Sequence, residues 1–252
     1  MPISVVINTY NAEEHLVEVL EAVKDFDEIV ICDMESTDST LEIAARYKCK
    51  VVTFPKGNIT IVEPARNFAI QSATHEWVLV VDADEIITAE LREYLYKIIE
   101  SPECPKGMFI SRMNKYMGKF IDCWSYDWQL RFVSRDRTDW PKTIHAVPKI
   151  DGAIGYVPKN IKMLHLADIT IRQRVSKMND YTDNELIRKS NKKYGVGALV
   201  YRPLWRFIRI YLLEGNFKAG KRGFLKASMA AVYQAVIVAK IIEKRLRNDI
   251  DK

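Results

Sequence analysis

Trp77-Val78-Leu79-Val80-Val81-Asp82-Ala83-Asp84-Glu85 is a run of apolar residues that ends abruptly in carboxylates. An apolar run of this length, without polar alternation, is the pattern of a strand buried on both faces of a parallel sheet. Its carboxyl end delivers Asp82 and Asp84, separated by the single residue Ala83. In an open parallel sheet, ligands bind outside the carboxyl ends of the strands. The stretch therefore predicts both an α/β fold and the edge of the sheet where a site belongs.

Working outward, the first hundred residues alternate strand and helix patterns with short connections. Ile3 to Ile7 is a second mostly apolar strand, followed by Asn11 and Glu14 in the spacing of a capping box. Leu16, Val19, Leu20 and Val23 then recur at helical spacing. Glu28 to Cys32 and Val51 to Phe54 read as strands around a helix from about Ser36 to Tyr47. Pro64 opens a helix ending near Thr74, and Thr88 caps one that carries Leu91, Leu95, Ile98 and Ile99. After Pro105 the strands become shorter and mixed: Met108 to Met113, Trp128 to Ser134 and Ala146 to Ile150, among many aromatics. From Ile169 the chain reads as helical to its end. The expected fold class is α/β, a Rossmann-like, mostly parallel sheet with helices on both faces, plus a C-terminal helical extension.

Length and composition agree. The 252 residues, 48% of them hydrophobic, suffice for one α/β domain with an extension. The net charge of +5 is too small to suggest nucleic acid by itself. Acidic residues dominate to about Glu103, and the balance reverses from Arg188 to Lys252. Cys32, Cys49, Cys104 and Cys123 include no C-x-x-C pair and are expected as reduced thiols in a cytosolic setting. The N-terminus runs straight into a strand pattern, so no signal peptide is expected. The most apolar C-terminal run, Ala227 to Ala239, is short of the roughly 20 residues a membrane span requires.

Three polar clusters fall at predicted strand ends: Asn8 to Asn11; Asp33 with Glu35 to Asp38; and Asp82, Asp84 and Glu85. Each taken singly also reads as a set of turn and cap residues. Together they suggest one shared cleft. Magnesium and manganese take hard oxygen ligands, commonly one or two carboxylates together with substrate phosphates. Two aspartates at one strand end can share such an ion, directly or through water.

On these residues the chain resembles family 2 glycosyltransferases with the GT-A fold, and more narrowly bacterial lipopolysaccharide-core and related surface-glycan enzymes. The matching stretches are Ile3 to Asn11, Asp33 to Thr40, Ala65-Arg66-Asn67-Phe68-Ala69 and Trp77 to Glu85, with a looser match through Asp127 to Phe132 and Ile144-His145. The resemblance implies that Thr9 and Asn11 line a nucleotide pocket and that Asp33 accepts from the base. Arg66 would neutralise a diphosphate. Asp84 would be the main ligand of Mg2+ or Mn2+, with Asp82 nearer the ribose and sugar. An inverting enzyme of this kind needs a general base; Asp127 between Tyr126 and Trp128 is the candidate, with Glu85 and Asp122 as alternatives. His145 is a candidate metal ligand or diphosphate contact, although this chain has His145-Ala146 where the family often has His-Glu; His165 is a second.

The expected activity is a metal-dependent, hexosyl-type transfer from a nucleotide sugar, a UDP-sugar, to a lipopolysaccharide-core or other surface-glycan hydroxyl. The expected organisation is a catalytic domain over 1–168, in halves 1–104 and 105–168, and a helical extension over 169–252. In the extension, Arg202 to Arg209 and Lys221 to Arg247 interleave basic and apolar residues. That suits peripheral contact with an anionic membrane at its cytoplasmic face, and equally a hairpin packed on the catalytic domain or in a homodimer. No nucleic-acid module is recognised. A sugar-nucleotide nucleotidyltransferase would carry a glycine-rich loop after the first strand, where Asn8-Thr9-Tyr10-Asn11 stands instead. A non-catalytic membrane- or partner-binding protein on the same fold is the remaining alternative, against which the presence of both Asp82 and Asp84 argues.

Overall fold

The strands β1 (Ile3–Thr9), β2 (Glu28–Asp33) and β4 (Trp77–Asp82) are mostly apolar, with polar residues chiefly at their ends, because both faces of the sheet are covered. Ile3, Val5 and Ile7 point into one hydrophobic cluster and Val6 into a second; Trp77, Leu79 and Val81 likewise oppose Val78 and Val80. Each such fully buried aliphatic side chain contributes about 1.5–3 kcal/mol relative to exposure. The structure is a computed structural model that describes residues 1–57, 63–122, 126–141, 148–189 and 192–250. It divides into two compact units, one of residues 1–113 and 126–167, the other of 114–125 and 168–252.

In chain order, α1 (Leu16–Val23) follows β1, α2 (Thr40–Arg46) follows β2, and α3 (Glu63–Ser72) follows β3 (Lys50–Thr53). After β4 come β5 (Glu85–Ile86), α4 (Ala89–Ile98), β6 (Gly107–Tyr116), β7 (Lys119–Phe120) and β8 (Asp127–Ser134). Short strands β9 (Thr138–Asp139), β10 (Lys149–Ile150), β11 (Ile154–Tyr156) and β12 (Lys162–His165) precede the helices α5 (Ile171–Arg188), α6 (Ala198–Ile208) and α7 (Lys221–Ile250). The main sheet runs β3-β2-β1-β4-β8-β6-β12-β5. Its β3, β2, β1 and β4 are parallel, whereas β8 joins β4 antiparallel. This mixed α/β architecture is the expected fold class.

Helices α1, α2 and α4 cover one face and α3 the other. Thr88 caps α4 as expected, its hydroxyl accepting from the Leu91 N–H at 3.3 Å. The capping box expected at Asn11 does not form. Helix α1 starts only at Leu16, and Asn11 adopts a left-handed backbone (φ 48°) that an N-cap does not use.

In the second unit, the end of β6 (Lys115 and Tyr116) pairs with β7 in a hairpin whose turn has left-handed backbone at Met117 and Gly118. Asp168 holds that turn, accepting from the Met117 and Gly118 N–H groups at 2.7 and 2.5 Å. Thr170 and Gln173 build a capping box at the start of α5. Helix α7 lies against α5, with Lys240 paired to Asp183 at 2.6 Å and the Tyr233 hydroxyl donating to Glu185 at 2.6 Å. The run Ala227 to Ala239 reads as too short to span a membrane. The continuous helix containing it, over Lys221–Asn248, is long and apolar enough by length and composition, with a mean hydropathy of 1.5 in its most apolar stretch.

Candidate active site

Pairing brings the three polar clusters together. Thr9 lies opposite Asp33 across β1 and β2, and Asn8 lies opposite Asp82 across β1 and β4. Asp33 is buried, and its carboxylate accepts from the Thr9 hydroxyl at 2.9 Å, the Ser36 hydroxyl at 2.6 Å and the Ser36 N–H at 2.9 Å. A carboxylate has about four acceptor positions, so room for about one further donor remains. Asn11 ties the loops after β1 and β2 together: its N–H donates to the Ser36 hydroxyl at 2.9 Å and its side-chain oxygen accepts from the Thr37 N–H at 2.8 Å. The residues expected to line a nucleotide pocket thus share one hydrogen-bonded floor. Beside it, burial and then the charge of Asp33 push the Cys32 thiol up to about 12, so it stays an unreactive thiol. Cys49 and Cys104 are likewise free, and Cys123 lies outside the described residues.

The carboxylates at the end of β4 have different surroundings. Asp82 accepts from Arg66 at 2.5 Å and also from Arg131. Arg131 donates to Glu85 at 2.8 Å; Arg112 reaches Glu85 at 3.1 Å and Asp127 at 2.9 Å. Carboxylates and guanidiniums therefore alternate along Asp127, Arg112, Glu85, Arg131, Asp82 and Arg66. Burial works against the charge on Asp82, and Arg131 and Arg66 outweigh it, holding its carboxyl far below the usual range. Burial likewise works against the charges of Arg131 and Arg112, and their carboxylate neighbours outweigh it and raise both. Glu85 is fully buried within this network and its second oxygen accepts from the Asp82 N–H at 3.0 Å, so it is closed to an acceptor substrate.

Asp84 stands outside the alternation. It is partly exposed, with Oδ2 3.2 Å from His165 Nε2. Among the described residues, no group of three or more His, Cys, Asp or Glu side chains is gathered to hold a metal by itself. His145 lies outside the described residues. Asp127 is half-buried at the start of β8, where Gln129 donates to its other oxygen at 2.7 Å. Asp122 belongs to the second unit. Arg66, the expected diphosphate cation, has its guanidinium 5.3 Å from the Trp140 ring as well as on Asp82.

Arg131 and Arg112 carry no assigned role in the sequence reading, yet they bind the site together. The signal available was Arg131 within Leu130-Arg131-Phe132-Val133, a charged residue among apolar neighbours, which requires a partner when buried.

Residues 4–150 match the family model described as Glycosyl transferase family 2. The chain is 25% identical to the lipopolysaccharide core biosynthesis glycosyltransferase LpsC of Rhizobium meliloti (strain 1021), over 97% of this chain and 93% of that protein. It is 36% identical to the poly(ribitol-phosphate) beta-N-acetylglucosaminyltransferase TarS of Staphylococcus aureus (strain Mu50 / ATCC 700699), over 36% of this chain and 17% of that protein. The structure of S. aureus TarS 1-349 in complex with UDP superposes with a TM-score of 0.54 at 16% identity, covering 98% of this chain and 92% of that one. By its sequence over more than half its length, this chain belongs to glycosyl transferase family 2.

Proposed function

We propose that the chain transfers a hexosyl-type sugar, with inversion, from a UDP-sugar to a hydroxyl of a lipopolysaccharide-core or other surface glycan. The observation that carries this reading is Asp84: of Asp82, Asp84 and Glu85 it is the one with no guanidinium partner among the described residues. A partly exposed carboxylate with an imidazole beside it fits Mg2+ or Mn2+ held jointly with substrate phosphates. Asp84 and His165 would hold the ion. When bound, it supplies positive charge against the charge that grows on the leaving diphosphate.

The chain's own residues do the rest. Thr9, Asn11 and Asp33 form the floor for the nucleoside, with the free acceptor position of Asp33 available to a base N–H. Arg66, anchored by Asp82, faces the diphosphate side. Asp127 takes the proton of the acceptor hydroxyl as that oxygen attacks the anomeric carbon, and Arg112 and Gln129 aim its carboxylate. The name of the Rhizobium relative supports a lipopolysaccharide-core acceptor, and the UDP held by TarS supports a uridine donor. The domain roles follow: residues 1–168 catalyse, in a nucleotide-sugar half and an acceptor half, and 169–252 bring the enzyme to the cytoplasmic face of an anionic membrane. Exposed Leu204, Trp205 and Leu213 beside Arg202, Arg206 and Arg209 supply the apolar and basic groups for that contact.

Calorimetric titration of nucleoside diphosphates with and without manganese tests the donor assignment. UDP should bind measurably more tightly with manganese, and Asp84→Ala should remove both that gain and UDP-sugar turnover. No metal-dependent preference for any nucleoside diphosphate would overturn the reading.

A further inference from the structure

The second unit contains a cavity of about 270 Å³ between α5, α7 and the β6–β7 hairpin, with Arg174, Lys177 and Lys226 in its lining. Lys177 and Lys226 make no ion pair among the described residues. The Arg174 guanidinium stacks over the Tyr116 ring at 4.5 Å, and its Nε donates to the Ile169 carbonyl at 3.2 Å. The acidic groups around them are already engaged. Asp168 accepts from two backbone amides, and Glu185 accepts from the Tyr233 hydroxyl and pairs with Lys189. Three cations therefore line one cavity with no carboxylate in its wall among the described residues.

A second observation points to a ligand. Tyr116 is only 5% exposed and lines the cavity, yet its hydroxyl has no hydrogen-bond partner among the described residues. A buried hydroxyl left unpaired is unfavourable, and an anionic oxygen beside the cations satisfies it. The rest of the wall is apolar: Met178, Met229 and Ala230. Methionine adapts to flexible aliphatic chains, and no side-chain amide lines the wall to read the edge of a base.

We propose that this cavity is a binding site for a lipid phosphate: the three cations and the Tyr116 hydroxyl take the phosphate, and the methionine wall takes the first part of the alkyl chain. The proposal rests on residues of the second unit alone and not on the catalytic reading.

The test is calorimetric titration of the full chain with dodecyl phosphate below its micelle concentration, with inorganic phosphate and dodecyl maltoside as separate arms. Dodecyl phosphate should bind saturably at one site, and at least about tenfold more tightly than inorganic phosphate, since burying two methylenes already supplies that factor. Dodecyl maltoside should not bind there. The double variant Lys177→Gln/Lys226→Gln, which changes only polar side chains, should weaken dodecyl phosphate about tenfold or more, and Tyr116→Phe about threefold. Excess UDP should leave binding unchanged. Absence of binding, equal affinity for inorganic phosphate or the maltoside, displacement by UDP, or indifference to the double variant would each overturn the proposal.

Discussion

Replacing Arg131 by methionine removes the guanidinium that joins Asp82 to Glu85, while keeping an unbranched apolar stem in the same space. The Arg131 side chain is 3% exposed and that of Glu85 is 0% exposed, so water cannot take over the lost contacts. Removing one partner of a buried ion pair destabilises by about 3–5 kcal/mol. Here the lower end applies, because Asp82 keeps Arg66 at 2.5 Å and Glu85 keeps Arg112 at 3.1 Å and the Asp82 N–H at 3.0 Å. For a chain of this size about 3 kcal/mol lowers the melting temperature by about 6–12 °C. Urea unfolding followed by tryptophan fluorescence measures it as a lower midpoint at unchanged slope. Adding Glu85→Gln to Arg131→Met neutralises the carboxylate left short of a partner and should recover about 1–2 kcal/mol. A loss below about 1 kcal/mol for the single variant, or a double variant less stable than the single, would refute the account of this network as a tightly coupled buried chain.

Further outcomes are expected elsewhere in the molecule. Asp82 has a depressed folded-state pKa, so its stabilisation is fully present above the ordinary value of 3.8 and is lost as pH falls below it. Asp82→Asn should flatten the stability-versus-pH curve below about pH 4, measured by urea midpoints; an unchanged acid slope contradicts the assignment. Thr9→Val removes the 2.9 Å hydrogen bond that orients Asp33 and should weaken UDP binding about fivefold by calorimetry, whereas equal affinity separates Asp33 from the nucleoside. Gly223→Ala would place a Cβ 1.7 Å from the Asn216 carbonyl oxygen, a backbone atom that cannot swing aside. It should destabilise by about 2 kcal/mol or more in a thermal melt followed by circular dichroism, and an unshifted melt counts against the close approach there. Trp205→Ala with Leu213→Ser should reduce co-sedimentation with anionic vesicles several-fold; unchanged binding removes α6 and the turn after it from the membrane contact.

The parallel half of the sheet is legible from Ile3 to Ile7 and Trp77 to Val81 because strands buried on both faces are mostly apolar, and runs this short, alternating with helical patterns, point to strands rather than helices. The strand ends followed, and with them Thr9, Asp33, Asp82 and Asp84, since a strand that stops being apolar marks the edge of the core. The hydrogen-bonded state of those groups was not legible. Asn11 looks like a helix cap by spacing but adopts a left-handed turn, in which Ser36 and Thr37 from another loop engage its N–H and its side-chain oxygen. Asp82 and Asp84 are two residues apart and chemically identical in the sequence. Which one lies between guanidiniums and which one stays open beside His165 depends on Arg66, Arg131 and His165 arriving from α3, β8 and β12. The sequence determined by itself where the core ends and which residue types meet the solvent there. Only the tertiary structure decided their partners, because charges compensate across space between strands and helices, and nothing in local spacing records which distant arginine neutralises which carboxylate.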